Sequence, residues 1–160
     1  MIYLVGFMGS GKSTVAEQLS RKLGMPYIEM DEEIEKQEGL SISEMFATQG
    51  ESFFREKETS FLRGISKDVI VSTGGGIILS KDNRHLLKSG TVIYLKAEWE
   101  TIVKRLREDT NRPLWKGDEQ EKKNRFESRL ALYDEVADEI VSVDERTPCE
   151  IAVDIQKRIK

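Results

Sequence analysis

Apolar positions in this chain follow two periods. Met1 to Val5 is a short unbroken run that stops at Gly6, whereas Val15, Leu19 and Leu23 recur four apart on one helical face. The opening therefore reads as strand, loop and helix. Gly24 is placed to end that helix with positive φ, Pro26 prevents its continuation, and Tyr27 to Met30 is a second short strand. Residues 31–63 change character: they are dense in acids, interrupted by Gly39 and Gly50, helical in composition, and carry Ser41 and Glu44 at capping-box spacing. They predict two or three short helices inserted after the second strand as a small subdomain. Val69 to Ser72 and residues 91–95 are further strands. The first runs into Gly74, Gly75 and Gly76; the second precedes a helix with Trp99, Ile102, Val103 and Leu106 on one stripe. Between about 108 and 123 the apolar pattern lapses around Pro113 and Gly117, which predicts a mobile loop of the length that lids have. A helix to about Ala137, a strand near Ile140 to Val143 and a last helix with Ile151, Ile155 and Ile159 complete the chain. Five strands alternating with helices imply the α/β class, with a parallel sheet covered on both faces as the middle of three layers.

At 160 residues the chain has the length of one domain, 1–160, without an internal repeat. Its 25 basic and 29 acidic residues leave a net charge of −4, which argues against general nucleic-acid binding, so an anionic ligand needs positive groups gathered locally. No run approaches the ~18 apolar residues of a spanning helix, and the first residues lead straight into a structural motif, so the expectation is a cytoplasmic protein without membrane partners. Cys149 and His85 each stand alone, which excludes an intrachain disulfide, a thiolate cluster and a paired-histidine zinc site; neither is given a role.

Gly6-Phe7-Met8-Gly9-Ser10-Gly11-Lys12-Ser13 has the pattern Gly, four residues, Gly, Lys, Ser or Thr, and it lies between a predicted strand and helix. This is the P-loop pattern in its required context. Glycines allow successive backbone N–H groups to turn around phosphate oxygens, with the following helix dipole behind them. Gly9, Ser10, Gly11 and Thr14 thus become phosphate-binding candidates, Lys12 neutralises the β and γ phosphates of ATP, and the Ser13 hydroxyl ligates Mg²⁺. Glu29 and Asp31 fall two apart where the second strand ends, positions that share a face of a strand. One can orient the metal through water while the other takes a hydrogen bond or proton from an acceptor hydroxyl. Equally, both can begin an acidic helix and do no more than favour its N-terminus.

With these motifs in order, the chain resembles the shikimate kinases, small P-loop enzymes of the nucleoside-monophosphate-kinase-like fold. The resemblance rests on GFMGSGKST, Asp31 with the acids after it, FATQGESFFREKE, STGGGI, RPLW and SRLALY, and spans nearly the whole sequence. It implies a helical substrate-binding subdomain over about 31–63, a lid over about 108–123, and ATP- and Mg²⁺-dependent phosphorylation of the 3-hydroxyl of shikimate by a monomer. It also assigns residues. Asp31 binds the ring hydroxyls and serves as the base, and Arg55 and Arg129 clamp the carboxylate as planar guanidinium groups do well. Gly74, Gly75 and Gly76 let backbone approach the substrate, Phe46 and Phe54 form apolar walls, and Glu58 steadies Arg55. Arg112 joins Lys12 and Asp31 as a catalytic residue by reaching the transferred phosphate from the lid, and Arg105 and Pro148 sandwich adenine. One departure stands out: the family commonly has aspartate where this chain has Glu29, which is therefore kept as a metal contact through water. The competing readings are a gluconate kinase of the same fold, distinguished by its acceptor subdomain, and a nucleotide-binding module that has lost catalysis, which should show a damaged site.

Overall fold

The computed structural model describes residues 1–108 and 118–159. Five strands form one sheet in the order β2-β3-β1-β4-β5: β1 Ile2–Val5, β2 Tyr27–Glu29, β3 Ile70–Ser72, β4 Thr91–Lys96 and β5 Glu139–Ser142. Every pairing is parallel. Such a sheet needs helices on both faces, and β1 and β3 are buried along their whole length. The core runs from Leu4 and Val71 in the central strands to Leu19 and Ile155 in the covering helices, each 0% exposed.

Helix α1 (Lys12–Leu23) follows the first loop and packs against α8 (Pro148–Arg158) and the first three strands. It ends where the sequence predicts: Gly24 has φ 65° and its N–H returns to Ser20 O. Between β2 and β3 lie three helices, α2 (Met30–Glu38), α3 (Ile42–Gln49) and α4 (Glu51–Gly64). Ser41 and Glu44 form the expected capping box at the start of α3. Helices α6 (Trp99–Arg107) and α7 (Glu119–Val136) flank the stretch that lies outside the described residues.

Two expectations need correction, and one stretch had none. The second strand stops at Glu29, and Met30 and Asp31 already belong to α2, so Glu29 and Asp31 do not share a strand face. Asp118 caps α7 through Glu121 N, so the lid stretch ends earlier than 123 and residues 119–123 are helical. Residues 77–87, for which the pattern predicted nothing, form a 3₁₀ turn over Ile77–Leu79 and helix α5 over Lys81–Leu87, capped by Ser80.

Parallel pairing aligns the strand ends. Leu4 and Glu29 both face Ser72 in the register, so the segments that follow β1, β2 and β3 emerge side by side at the carboxyl edge of the sheet. Open α/β sheets bind their ligands at that edge.

Candidate active site

The segment after β1 is shaped by glycine. Gly9 and Gly11 have φ of 83° and 90°, the left-handed region that other residues avoid. A Cβ on Gly11 would also meet Arg105 Nη1 at 2.9 Å. The loop is wrapped around a buried lysine: Lys12 Nζ donates to Gly6 O at 2.7 Å and to Phe7 O at 3.1 Å. Arg105 lies over the same loop, its Nη1 3.4 Å from Gly9 O. The first turn of α1 leaves Ser13 and Thr14 exposed at the mouth.

The end of β2 supplies the next group. Ser13 Oγ donates to Glu29 Oε2 at 2.8 Å, and Ser72 at the end of β3 also bonds to this carboxylate. Burial raises the Glu29 pKa and Glu32 adds to the rise, with Ser13, Ser72 and Lys12 opposing it. A hydroxyl and a carboxylate side by side beneath a phosphate loop form a hard oxygen donor set, which suits Mg²⁺ with phosphate and water as its other ligands. No group of three or more His, Cys, Asp or Glu is disposed to hold a metal among the described residues.

Farther along the carboxyl edge the Gly74–Gly76 turn meets the charged groups of α2, α4 and α7. A Cβ on Gly74 would sit 2.8 Å from Asp31 Oδ1 and 3.2 Å from Glu58 Oε2; one on Gly76 would stand 2.6 Å from the Arg55 Cζ and Nη2. Arg129 Nη1 comes to 3.7 Å of the same point on Gly75. None of these three glycines needs a positive φ. A side chain at Gly74 or Gly76 would collide with the protein's own Asp31, Glu58 or Arg55, a constraint that adds to the close approach of substrate expected at this turn.

Arg55 is held at both edges. It pairs with Glu58 at 2.8 Å one helical turn on and with Glu51 at 3.5 Å one turn back. Burial alone would lower its pKa, but the two carboxylates outweigh burial and raise it. Glu58 is fully buried, and burial lifts its pKa to about 7 with Asp31 adding to the rise, while Arg55 and Arg129 pull it down. Its Oε2 has no hydrogen-bond partner among the described residues, leaving an acceptor turned towards Gly74. Arg129 lies 5.7 Å over the ring of Phe7, and burial lowers its pKa. Phe54 is buried and Phe46 half-buried, with ring centroids 5.5 Å apart.

One cleft of about 710 Å³ joins these parts. Lys12, Ser13 and Glu29 line one end, and Asp31, Arg55, Glu58, Arg129 and the glycine turn line the other, with Phe46 and Phe54 as its apolar wall. Arg105 touches the loop without lining the cleft, and Pro148 opens α8, half-buried, without lining it either. Arg112 lies outside the described residues.

Two lining or supporting residues had not been singled out. Arg125 lines the cleft one turn before Arg129. Tyr133, 0% exposed, donates its hydroxyl to Gly75 O at 2.5 Å and bonds to Arg129, tying α7 to the glycine turn. A signal existed, since Tyr133 follows Arg129 by four residues and so shares its helix face.

A five-stranded parallel sheet with a phosphate loop after its first strand and an acceptor cleft at its carboxyl edge defines a P-loop kinase of small molecules. Comparison with known proteins resolves the class further. The shikimate kinase family pattern matches residues 8–160, and the chain belongs to that family. It is 43% identical to a shikimate kinase of Persephonella marina over 99% of this chain and 98% of the relative. It superposes with a TM-score of 0.92 and 37% identity on a shikimate kinase of Acinetobacter baumannii in complex with shikimate, covering 99% of this chain and 91% of that one. The likeness to a gluconokinase of Sinorhizobium meliloti is one of fold alone, at 19% identity and a TM-score of 0.54.

Proposed function

We propose that this chain transfers the γ-phosphate of ATP to the 3-hydroxyl of shikimate, giving shikimate 3-phosphate and ADP. The observation that carries this reading is a single cleft with a phosphate loop at one end and, at the other, a half-buried Arg55, a buried Arg129 and an aspartate lining the same space. Shikimate is a small carboxylated triol, and those are the groups its two ends require. Family membership and the shikimate held by the Acinetobacter baumannii relative support the same acceptor.

The roles follow from position. The loop glycines present backbone N–H groups to phosphate, and Lys12 exchanges its bonds to Gly6 O and Phe7 O for phosphate oxygens. Arg55 and Arg129 fix the acceptor carboxylate, which turns the ring hydroxyls towards Asp31. Asp31 orients the attacking hydroxyl and takes its proton. Ser13 would hold Mg²⁺, with Glu29 as its contact through water, and the ion would supply positive charge for the β and γ phosphates. Outside the described residues, Arg112 is assigned by the family resemblance to the charge that develops on the transferred group.

The test is ADP production with ATP and Mg²⁺ in parallel reactions containing shikimate, gluconate or no acceptor. Strong stimulation by shikimate alone is expected. Equal stimulation by gluconate would overturn the reading of the acceptor end, and ATP binding without stimulation by either would overturn the catalytic reading.

A further inference from the structure

Helix α5 contains a residue that its amphipathic position does not explain. Asn83 is 0% exposed, buried between α5 and α4 with its side chain against Thr59. Burying an amide is costly unless it is hydrogen-bonded, so its partner indicates what it does. Thr59 Oγ1 lies 2.7 Å from Asn83 Oδ1 and 3.1 Å from the backbone carbonyl of Arg55, one helical turn back. A hydroxyl has one hydrogen and cannot donate fully to both. Asn83 Nδ2 is buried with no partner among the described residues. Turning the amide over brings that donor to Thr59 Oγ1 and leaves the hydroxyl hydrogen for Arg55 O. The result is a directed chain from Asn83 through Thr59 to the backbone of Arg55.

The helix that begins this chain is itself registered to the rest of the acceptor end. Arg84, the next residue, donates to Ile78 O at 2.7 Å in the 3₁₀ turn behind Gly76. It also pairs with Glu135 of α7 at 2.9 Å, on the helix that carries Arg129 and Tyr133. Neighbouring residues of α5 thus reach α4, the 3₁₀ turn that follows the glycines, and α7, so that α5 joins the helices that carry Arg55 and Arg129.

We propose that Asn83 is a positioning residue for Arg55, acting through the Thr59 hydroxyl, and that α5 braces the two arms of the arginine clamp. This rests on the reading that Arg55 holds the acceptor carboxylate. Asn83 and Thr59 do not line the cleft, so their influence is confined to where Arg55 sits. Thr59→Val removes the hydroxyl and keeps the shape of the side chain. It should raise KM for shikimate about fivefold, with KM for ATP and kcat within about twofold, the loss of one buried hydrogen bond expressed in binding. Thr59→Ser should restore the wild-type KM, and Asn83→Ala combined with Thr59→Val should be no worse than the more affected single variant. Arg55→Lys is measured beside them. If Arg55→Lys raises the shikimate KM while Thr59→Val does not, the proposal is overturned and the reading of Arg55 stands. If Arg55→Lys leaves that KM unchanged, the reading of Arg55 has failed and the proposal goes with it. A Thr59→Val enzyme with a lower melting temperature and parallel changes in both KM values would make the contact structural only and overturn the proposal.

Discussion

The two ends of the cleft are built on opposite plans. The phosphate end is local: residues 6–11 form one loop between a strand and a helix, and the lysine that opens the helix bonds within six residues of itself. The acceptor end is assembled from α2, α4, the Gly74–Gly76 turn and α7, elements far apart in sequence that are tied together by contacts such as Tyr133 to Gly75. A backbone cradle suits a ligand common to many enzymes, because peptide groups have little chemistry to vary. A particular acceptor needs side chains, and side chains from separate elements can be exchanged without disturbing the cradle.

This contrast can be broken at either end. The largest effect is expected at the phosphate end, where Lys12→Ala should lower kcat by at least about 10³-fold while leaving shikimate binding intact. Isothermal titration with shikimate together with turnover would check it, and loss of both would show that the ends are not separable. Next is Gly76→Ala, which adds a methyl group where the Arg55 guanidinium lies 2.6 Å away. KM for shikimate should rise by about 10- to 100-fold with KM for ATP little changed, since displacement of one arm of a charged clamp costs roughly 1.5–3 kcal/mol. Equal changes in both constants would contradict a turn that serves only the acceptor end.

The smallest effect is one of stability. Burial lifts the Glu58 pKa in the folded chain from 4.5 to about 7, so between those values the folded protein keeps a proton that the unfolded chain releases. The contribution of Glu58 to stability is therefore fully present below about pH 4.5 and declines as pH rises to about 7. Glu58→Gln cannot titrate there. The melting-temperature difference between wild type and variant should shift against wild type from pH 4.5 to 7, and a constant difference would refute the assignment.

The same contrast explains what the sequence made legible. The phosphate loop was readable outright, because its spacing is a backbone requirement. Arg55, Asp31 and Arg129 were named through family resemblance, and the structure brings them to one cleft, since no local pattern links residues on three helices. Asp31 illustrates the difference: the strand-face argument for it failed, and its place in the first turn of α2 brings it to Gly74 instead. Gly74 to Gly76 were noticed for close approach to a ligand, and the structure adds neighbours within the protein, Asp31, Glu58 and Arg55, that no local pattern announces. Helix α5 is seven residues with little apolar periodicity, and Tyr133 was part of the SRLALY block without a role of its own. Both act through contacts with distant segments, which no single stretch of sequence records.

The central claim is that one end of the cleft recognises a carboxylate through paired arginines while the other holds ATP. The most direct measurement compares kcat/KM for shikimate and for its neutral carboxamide, which keeps shape and hydroxyls and loses the charge. The account predicts a loss of at least about 10²-fold for the carboxamide, expressed in KM for the acceptor and not in KM for ATP. Equal kcat/KM for the two acceptors would contradict it.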